Sequence, residues 1–454
     1  MINLSDVQVV VLMGGLGTRL KEFTKECPKP LVEVNNKPFF DYSLDLLMKA
    51  GFKKFVFLIG YRANMIEEYY KDGSDRGISI QYCYDGEKLL GTGGAVRRAY
   101  DYLEDDFLLM YGDSFMDIDY EETVYRYFEG KLHGRKALMT VLHNNNMFDK
   151  SNVVMKDGEI VLYDKHNPTK EMNYIDYGVC MYEKSLFDDY ELEYKFDIAE
   201  IQNKLSLSGE MTAHEVTKRF YEIGSPESLK EFTEYIKYRQ DEKHPAVFLD
   251  RDGVINEIVF NEDAEQMDSP MNKGQFVMFN NVADAIKGFK NKGYYVFVVT
   301  NQPAAAKRKT CLLNLYDINT YFVNEMKSSG ADIDEVVMCK HYPKEPVMKR
   351  FGSLSDDEKV LNDKIFDLSK SVLIKTCNCR KPKSGMIDSI AEKYNIDLSN
   401  SFMVGDSYTD VTCGKNAGVK TVFIGDFKCD SCNRLCNDKP DFICKNILEV
   451  LDVV

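Results

Sequence analysis

The chain has 454 residues, room for two or three domains, and its 44% hydrophobic and 29% charged residues exclude a mostly disordered chain. With 58 Lys and Arg against 73 Asp and Glu the formal charge is −15, which argues against nucleic acid or an anionic membrane as partner but leaves room for a small phosphorylated ligand held by local cations. No apolar run reaches the roughly 18 residues of a membrane helix. The first residues lack the basic region of a secretory signal, so a cytoplasmic location is expected, and twelve Cys then suggest thiols or metal ligands rather than a disulfide framework.

The apolar run Val7–Met13 closes on Gly14-Gly15-Leu16-Gly17 and predicts a buried strand with a loop at its carboxyl end. Apolar spacing then predicts a helix over 39–50, a strand over 54–59, a helix over 64–71, a strand over 78–84, a helix over 93–102 and a strand over 107–111 that runs into Gly112-Asp113. This alternation predicts an α/β sheet of mainly parallel strands. A charged helix over 227–239 and a polar stretch after it place a domain boundary between 241 and 242. The second half restarts with Ala246–Leu249 and Asp250-Arg251-Asp252-Gly253, followed by a helix over 282–292, a strand over 294–300, a helix over 386–394 and strands over 401–404 and 420–424. The charged stretch 344–370 has weak periodicity and reads as a long insertion, with Asp356–Lys359 a solvated loop; His133, His143, His166, His214 and His244 read as surface or loop positions.

In the first half, Gly14, Gly15, Gly17 and Thr18 follow the strand without forming a P-loop or a dinucleotide fingerprint. Such glycines let backbone N–H groups approach phosphate, Arg19 adds a fixed charge, and Pro28-Lys29-Pro30 holds one ammonium on a stiffened backbone. Together with Gly91-Thr92-Gly93-Gly94-Ala95, Gly112-Asp113, Asp164-Lys165, Asp176-Tyr177-Gly178 and Glu222–Pro226, these blocks make residues 1–241 resemble the sugar-phosphate nucleotidyltransferases; the Gly91 block is most similar to the mannose- and heptose-1-phosphate branch. The resemblance implies a Rossmann-like, GT-A-like fold in which a sugar 1-phosphate attacks the α-phosphorus of a nucleoside triphosphate. It implies that Arg19 and Lys29 hold the triphosphate, that Lys165 meets the sugar phosphate with Gly178 a further substrate position, and that Gly91, Thr92 and Gly93 lie against base or ribose. Asp113 and Glu222 would be Mg²⁺ ligands, although Glu222 and Ser225 stand where the family usually has Asp and Thr.

In the second half two carboxylates, Asp250 and Asp252, stand at i and i+2 past a buried strand. Val298-Val299-Thr300-Asn301-Gln302, Arg380-Lys381-Pro382-Lys383 and Val404-Gly405-Asp406 with Asp410 follow in order, and the strand ends among them should converge in a doubly wound fold. Residues 242–454 thereby resemble the haloacid dehalogenase (HAD) phosphatases. The resemblance implies that Asp250 is the nucleophile and Asp252 the general acid and base. Thr300 and Lys381 would hold phosphoryl oxygens, Asn301 and Arg380 would add substrate contacts, and Lys383 competes with Lys381 for its role. Mg²⁺ would sit on Asp250, Asp406 and the backbone carbonyl of Asp252, with Asp410 in support.

Cys339-Lys340-His341 and Cys377-Asn378-Cys379 are similar to the zinc motif of heptose-bisphosphate and histidinol-phosphate phosphatases and imply a structural Zn²⁺, although the stretch between the two pairs is unusually long. Gln302-Pro303-Ala304 departs from the Gln-Ser-Gly of those relatives, the segment 253–279 is too short for a large cap, and Cys429, Cys432 and Cys436 read as surface thiols. The expected fold class is α/β with two doubly wound domains, the second a capless HAD fold with a zinc loop. The expected function is bifunctional: heptose 1,7-bisphosphate loses one phosphate and the 1-phosphate is joined to GMP. The alternative is a CTP-dependent pair acting on a polyol phosphate. Small phosphorylated substrates are the expected partners, and a homo-oligomer is left open.

Overall fold

Valines at 9, 10 and 11 are fully buried, as β-branched residues are when a strand has neighbours on both edges and layers on both faces. They belong to β1 (Gln8–Leu12), which pairs in parallel with β2 (Lys54–Ile59) and, through Val10 opposite Leu109, with a strand over Asp106–Tyr111. The computed structural model describes all residues except 16–19, 21–22, 26, 87, 263–264, 345–354 and 426–437. It divides into two compact units, Ile2–Ile236 and Lys237–Val454.

The first unit carries a nine-stranded sheet. Besides β1 and β2 its strands are β3 (Ser79–Tyr84), β4 (Asp106–Tyr111), β5 (Ala137–His143), β6 (Val153–Lys156), β7 (Glu159–Tyr163), β8 (Tyr174–Glu183) and β9 (Met211–Val216), in the order β3-β2-β1-β4-β8-β5-β9-β7-β6. The β3-β2-β1-β4 half is parallel, as expected from the alternating pattern. The other half corrects the expectation of a mainly parallel sheet: β8 lies antiparallel to both β4 and β5. Helices α1 (Phe39–Ala50), α2 (Ala63–Tyr70), α3 (Gly91–Arg98), α4 (Tyr120–Leu132) and α5 (Ala199–Ser208) accompany these strands. Helix α1 stops at Gly51, whose φ of 114° lets its N–H turn back to the Leu47 and Met48 carbonyls. Helix α6 (Pro226–Gln240) starts where the Ser225 Oγ accepts the Ser228 N–H, with Pro226 as its first residue.

His214 is not a surface residue. It lies buried on β9, with Nδ1 2.9 Å from Thr123 Oγ1 and Nε2 3.4 Å from Glu122 Oε1. Burial pushes the Glu122 carboxyl up, but His214 and Arg126 outweigh it and hold it at about 2.

The second unit has six parallel strands: β10 (Ala246–Leu249), β11 (Tyr295–Asn301), β12 (Glu335–Cys339), β13 (Phe402–Gly405), β14 (Lys420–Ile424) and β15 (Phe442–Cys444), in the order β12-β11-β10-β13-β14-β15. Successive residues of β10 enter different cores, because strand side chains alternate between faces. Val247 and Leu249 pack with Ile286 of α7 (Val282–Asn291) and Phe322 of α8 (Leu312–Ser328). Ala246 and Phe248 pack instead with Ile387 and Cys413. Between them lies α9 (Asp356–Leu373) in chain order, then α10 (Gly385–Tyr394) and α11 (Tyr408–Ala417), which carry Ile387 and Cys413. The helices therefore cover both faces of the sheet, as a doubly wound arrangement requires.

Helix α9 corrects the reading of 356–359 as a solvated loop. Ser355 and Glu358 form a capping box and Asp356, Asp357 and Glu358 fill the first turn, where negative charge is favoured. Its buried face is Ile365, Phe366, Ser369, Val372 and Leu373, a helical spacing that the many charges between obscure.

Candidate functional site

In the first unit three strand ends meet around one carboxylate that the sequence did not mark. A Cβ on Gly14, past β1, would lie 1.9 Å from Asp85 Oδ2, and one on Gly60, past β2, would lie 2.3 Å from it. Asp85 itself follows β3, and burial raises its carboxyl while Arg98 opposes the rise. Among the described residues nothing lies within 4 Å of a Cβ built on Gly15. Gly17, Thr18 and Arg19 lie outside the described residues.

Lys29, in a single 3₁₀ turn behind Pro28, places Nζ 2.7 Å from Asp113 Oδ2 at the end of β4. The short strands Ser114–Phe115 and Tyr221–Glu222 pair antiparallel, set Glu222 opposite Ser114, and let the Ile223 N–H donate to the Asp113 carbonyl at 3.0 Å. Residues more than a hundred positions apart thus bring Glu222 beside Asp113.

The Gly91 block has a structural demand of its own. Gly91 has φ +76°, and a Cβ there would lie 2.4 Å from the Phe196 carbonyl, while one on Gly93 would enter the Phe196 ring. Thr92 Oγ1 donates to Asp197 Oδ1 at 3.0 Å, and Lys165 Nζ stands 3.0 Å from Asp197 Oδ2. Asp197, which no motif signalled, therefore joins Thr92 to Lys165. Asp176, near Lys165 and Asp197, has its carboxyl raised to about 6, chiefly by burial, although the Gly178 N–H donates to it at 2.9 Å.

In the second unit the register Val298–Leu249–Val404 levels the ends of β11, β10 and β13. Lys381 Nζ lies 2.8 Å from Asp250 Oδ1 and 2.5 Å from Asp410 Oδ1, and all three side chains are withdrawn from solvent. Asn301 fixes Lys381 by its backbone, accepting its N–H at 3.0 Å and donating to its carbonyl at 3.1 Å. Lys383 points elsewhere: its ammonium donates to the Cys377 carbonyl at 2.8 Å. Oxygens of Asp250, Asp406 and Asp410 lie within 4.8 Å of one another. Gly253, with φ +85°, is pressed on Asp406, since a Cβ there would sit 2.4 Å from Oδ2.

The paired aspartates are held differently. Burial and then Asp410 raise the Asp250 carboxyl to about 7 against the pull of Lys381. Burial also works on Asp252, but the Arg251 guanidinium and several hydrogen bonds overcome it and hold the carboxyl below its ordinary range. Arg251 is fully buried, with Nη2 3.2 Å from Asp252 Oδ1 and Nη1 donating to Asn319 Oδ1 at 2.9 Å. Gln302 Nε2 donates to Asp252 Oδ2 at 2.5 Å and to Thr300 Oγ1 at 2.9 Å.

A second cluster lies at the end of β12. Cys339 Sγ is 3.7 Å from Cys377 Sγ, 3.2 Å from Cys379 Sγ and 3.8 Å from His341 Nδ1, and His341 Nδ1 is 3.0 Å from Cys379 Sγ. Four donors this close to one another could hold a single cation. Cys429, Cys432 and Cys436 lie outside the described residues.

Residues 8–238 match the family model described as nucleotidyl transferase. The chain belongs to that family. Over 226 residues this nucleotidyl transferase is 30% identical to a D-glycero-alpha-D-manno-heptose 1-phosphate guanylyltransferase of Campylobacter jejuni, covering 50% of this chain and 98% of that protein. Residues 378–450 match a HAD-hydrolase-like model. The second half is 29% identical over 186 residues to a D-glycero-alpha-D-manno-heptose-1,7-bisphosphate 7-phosphatase of Photorhabdus laumondii, covering 41% of this chain and 84% of that one. It is also 31% identical over 177 residues to the beta-anomer phosphatase of Rhodopseudomonas palustris, with 39% and 81% covered. The nucleotidyl transferase thus joins a nucleotidyltransferase domain to a HAD phosphatase domain in one chain. No helix among its described residues is long and apolar enough to cross a membrane.

Proposed function

We propose that the chain converts D-glycero-D-manno-heptose 1,7-bisphosphate to GDP-D-glycero-D-manno-heptose in two steps. The HAD unit removes the 7-phosphate and the nucleotidyltransferase unit joins the 1-phosphate to GMP, releasing pyrophosphate. One observation carries the reading: the relatives of the two halves act, by their names, on consecutive forms of one heptose phosphate. The α anomer is the form that the guanylyltransferase and one phosphatase share in their names.

In the first step the Asp250 carboxylate attacks phosphorus and the bond to the C7 oxygen breaks. The phosphate dianion bound beside Asp252 raises its carboxyl against the pull of Arg251, so that Asp252 gives that oxygen a proton and then takes one from the water that splits the aspartyl-phosphate. Thr300 and Lys381 grip the phosphoryl oxygens; the 2.8 Å reach from Lys381 to Asp250 supports this. In the second step Lys29, with Arg19, neutralises the triphosphate while Lys165 meets the heptose phosphate, and catalysis is positioning and charge. The carboxylates of Asp250, Asp406 and Asp410 cluster as a hard cation requires, and Asp250, Asp406 and the Asp252 carbonyl would hold one Mg²⁺; Asp113 with Glu222, on paired short strands, would hold another. Bound Mg²⁺ screens phosphate charge at each centre.

A second anionic group on the HAD substrate has a place to go. Lys307 Nζ and the Arg380 guanidinium lie 5.0 and 5.9 Å from the centre of the Tyr342 ring. Arg380 Nη1 is buried with no hydrogen-bond partner among the described residues. Burial, then repulsion from Lys309 and Arg380, lowers the Lys307 ammonium's pKa, an environment that an anion would relieve. Between Gly253 and Phe279 the sheet pairings of the described residues are the hairpin Val259–Asn261 with Gln266–Asp268 and the isolated bridges of Asn256, which supports a capless HAD unit. We place the enzyme in the cytoplasm, with its product destined for surface polysaccharide.

Cys339, His341, Cys377 and Cys379 fit a structural Zn²⁺, since sulfur and nitrogen ligands at about 2.0–2.3 Å around one ion stand at separations like those seen. Removing the metal with a chelator is expected to lower the melting temperature of the HAD unit by at least about 5 °C. Calorimetry checks this, and a metal-free protein with an unchanged transition would refute it.

A phosphorus NMR time course tests the function. Given the bisphosphate, Mg²⁺ and GTP, the protein should release phosphate and then pyrophosphate with a nucleotide-sugar signal. Turnover with CTP alone would change the base, and no turnover of the bisphosphate would sink the heptose assignment.

A further inference from the structure

Arg308 follows Lys307 and has φ +58°, a left-handed conformation that an L residue keeps only where its surroundings enforce it. Helix α9 supplies the surroundings. Arg308 makes an ion pair with Asp363, and its guanidinium lies 4.6 Å from the centre of the Phe366 ring. Three residues on, Cys311 Sγ donates to Asn362 Oδ1 at 2.8 Å. Asn362, Asp363 and Phe366 share one stripe of the helix. The last turn of α9 reaches the opposite wall, where the Leu373 carbonyl accepts the Tyr342 N–H at 2.9 Å. One helix therefore grips the loop that bears Lys307 and also the segment that bears Tyr342. It lies in the stretch between His341 and Cys377, the pairs that would clip its two ends to one metal.

We infer that α9 is a specificity brace for the phosphatase site, with Arg308 and Asp363 as positioning residues that keep Lys307 beside Tyr342 and Arg380 to receive the phosphate that is not cleaved. This rests on the bisphosphate reading above. Neither positioning residue touches the reacting phosphate, so the brace acts on binding of the remote group and not on the chemical step.

The test uses Asp363→Asn and the charge-swapped pair Arg308→Asp with Asp363→Arg; Asp tolerates the left-handed region better than most residues. Asp363→Asn should raise KM for the bisphosphate about tenfold with kcat within about twofold, and leave kcat/KM for p-nitrophenyl phosphate unchanged. The swapped pair should recover the bisphosphate KM. Equal losses on both substrates, or no change in the bisphosphate KM, would overturn the brace. Amide hydrogen exchange over 303–311 needs no substrate: exchange at least about tenfold faster in Asp363→Asn supports the brace, and unchanged exchange overturns it. Should the wild-type enzyme not hydrolyse the bisphosphate, the functional reading falls, while the exchange result still decides the brace.

Discussion

Asp250→Asn is expected to cut phosphate release from the bisphosphate by about 10⁴-fold or more, because the amide keeps the shape of the side chain but cannot form the aspartyl-phosphate. The replacement removes one of the two carboxylates that face Lys381 and leaves its 2.5 Å partner Asp410 in place, so the fold should persist. The loss should appear in kcat. The same protein, given heptose 1-phosphate and GTP, should still release pyrophosphate. A matched pair of assays, inorganic phosphate from the bisphosphate and pyrophosphate from the 1-phosphate, separates the two activities. An Asp250→Asn enzyme that retains a tenth of its phosphatase rate would remove Asp250 from the role of nucleophile.

Lys29→Met should act on the other activity. Its ammonium is held 2.7 Å from Asp113 in a turn stiffened by Pro28 and Pro30, and a preorganised cation near a transferring phosphoryl group is worth about 10²–10³ in rate. Pyrophosphate formation should fall by about that factor, with phosphate release from the bisphosphate unchanged. Lys29→Arg should recover only part of the rate, since a planar guanidinium does not reproduce a point charge on a flexible stem. A Lys29→Met enzyme within about threefold of wild type would show that the charge is neutralised elsewhere.

The elements up to Tyr111, and in the second unit the strands that end near Asp250, Thr300, Asp406 and Ile424, were legible from local pattern. The helix over 39–50 and the strands over 54–59 and 420–424 have the bounds that apolar periodicity predicts. The mixed half of the first sheet was not read from the sequence, which assigned no strand between 112 and 226, and no local pattern gives the direction of β8 or its place between β4 and β5. Helix α9 was missed for a different reason. Its Ser355-to-Glu358 cap is plain in the sequence, but eighteen residues rich in charge bury only a narrow stripe.

By itself the sequence determined that two α/β units lie in tandem and that Lys29, Asp113, Asp250, Asp252 and Asp406 stand at strand ends or tight turns, since strand, turn and motif are local properties of neighbouring residues. The tertiary structure set Lys381, which the resemblance favoured over Lys383, against Asp250 and brought Glu222 beside Asp113, and it alone decided that Asp197 joins Thr92 to Lys165 and that Arg308 is held by Asp363, more than fifty positions away. Each of these is a charge or hydrogen bond between distant segments, and its partner is chosen by how the strands are ordered and the loops folded back, which no spacing along the chain records.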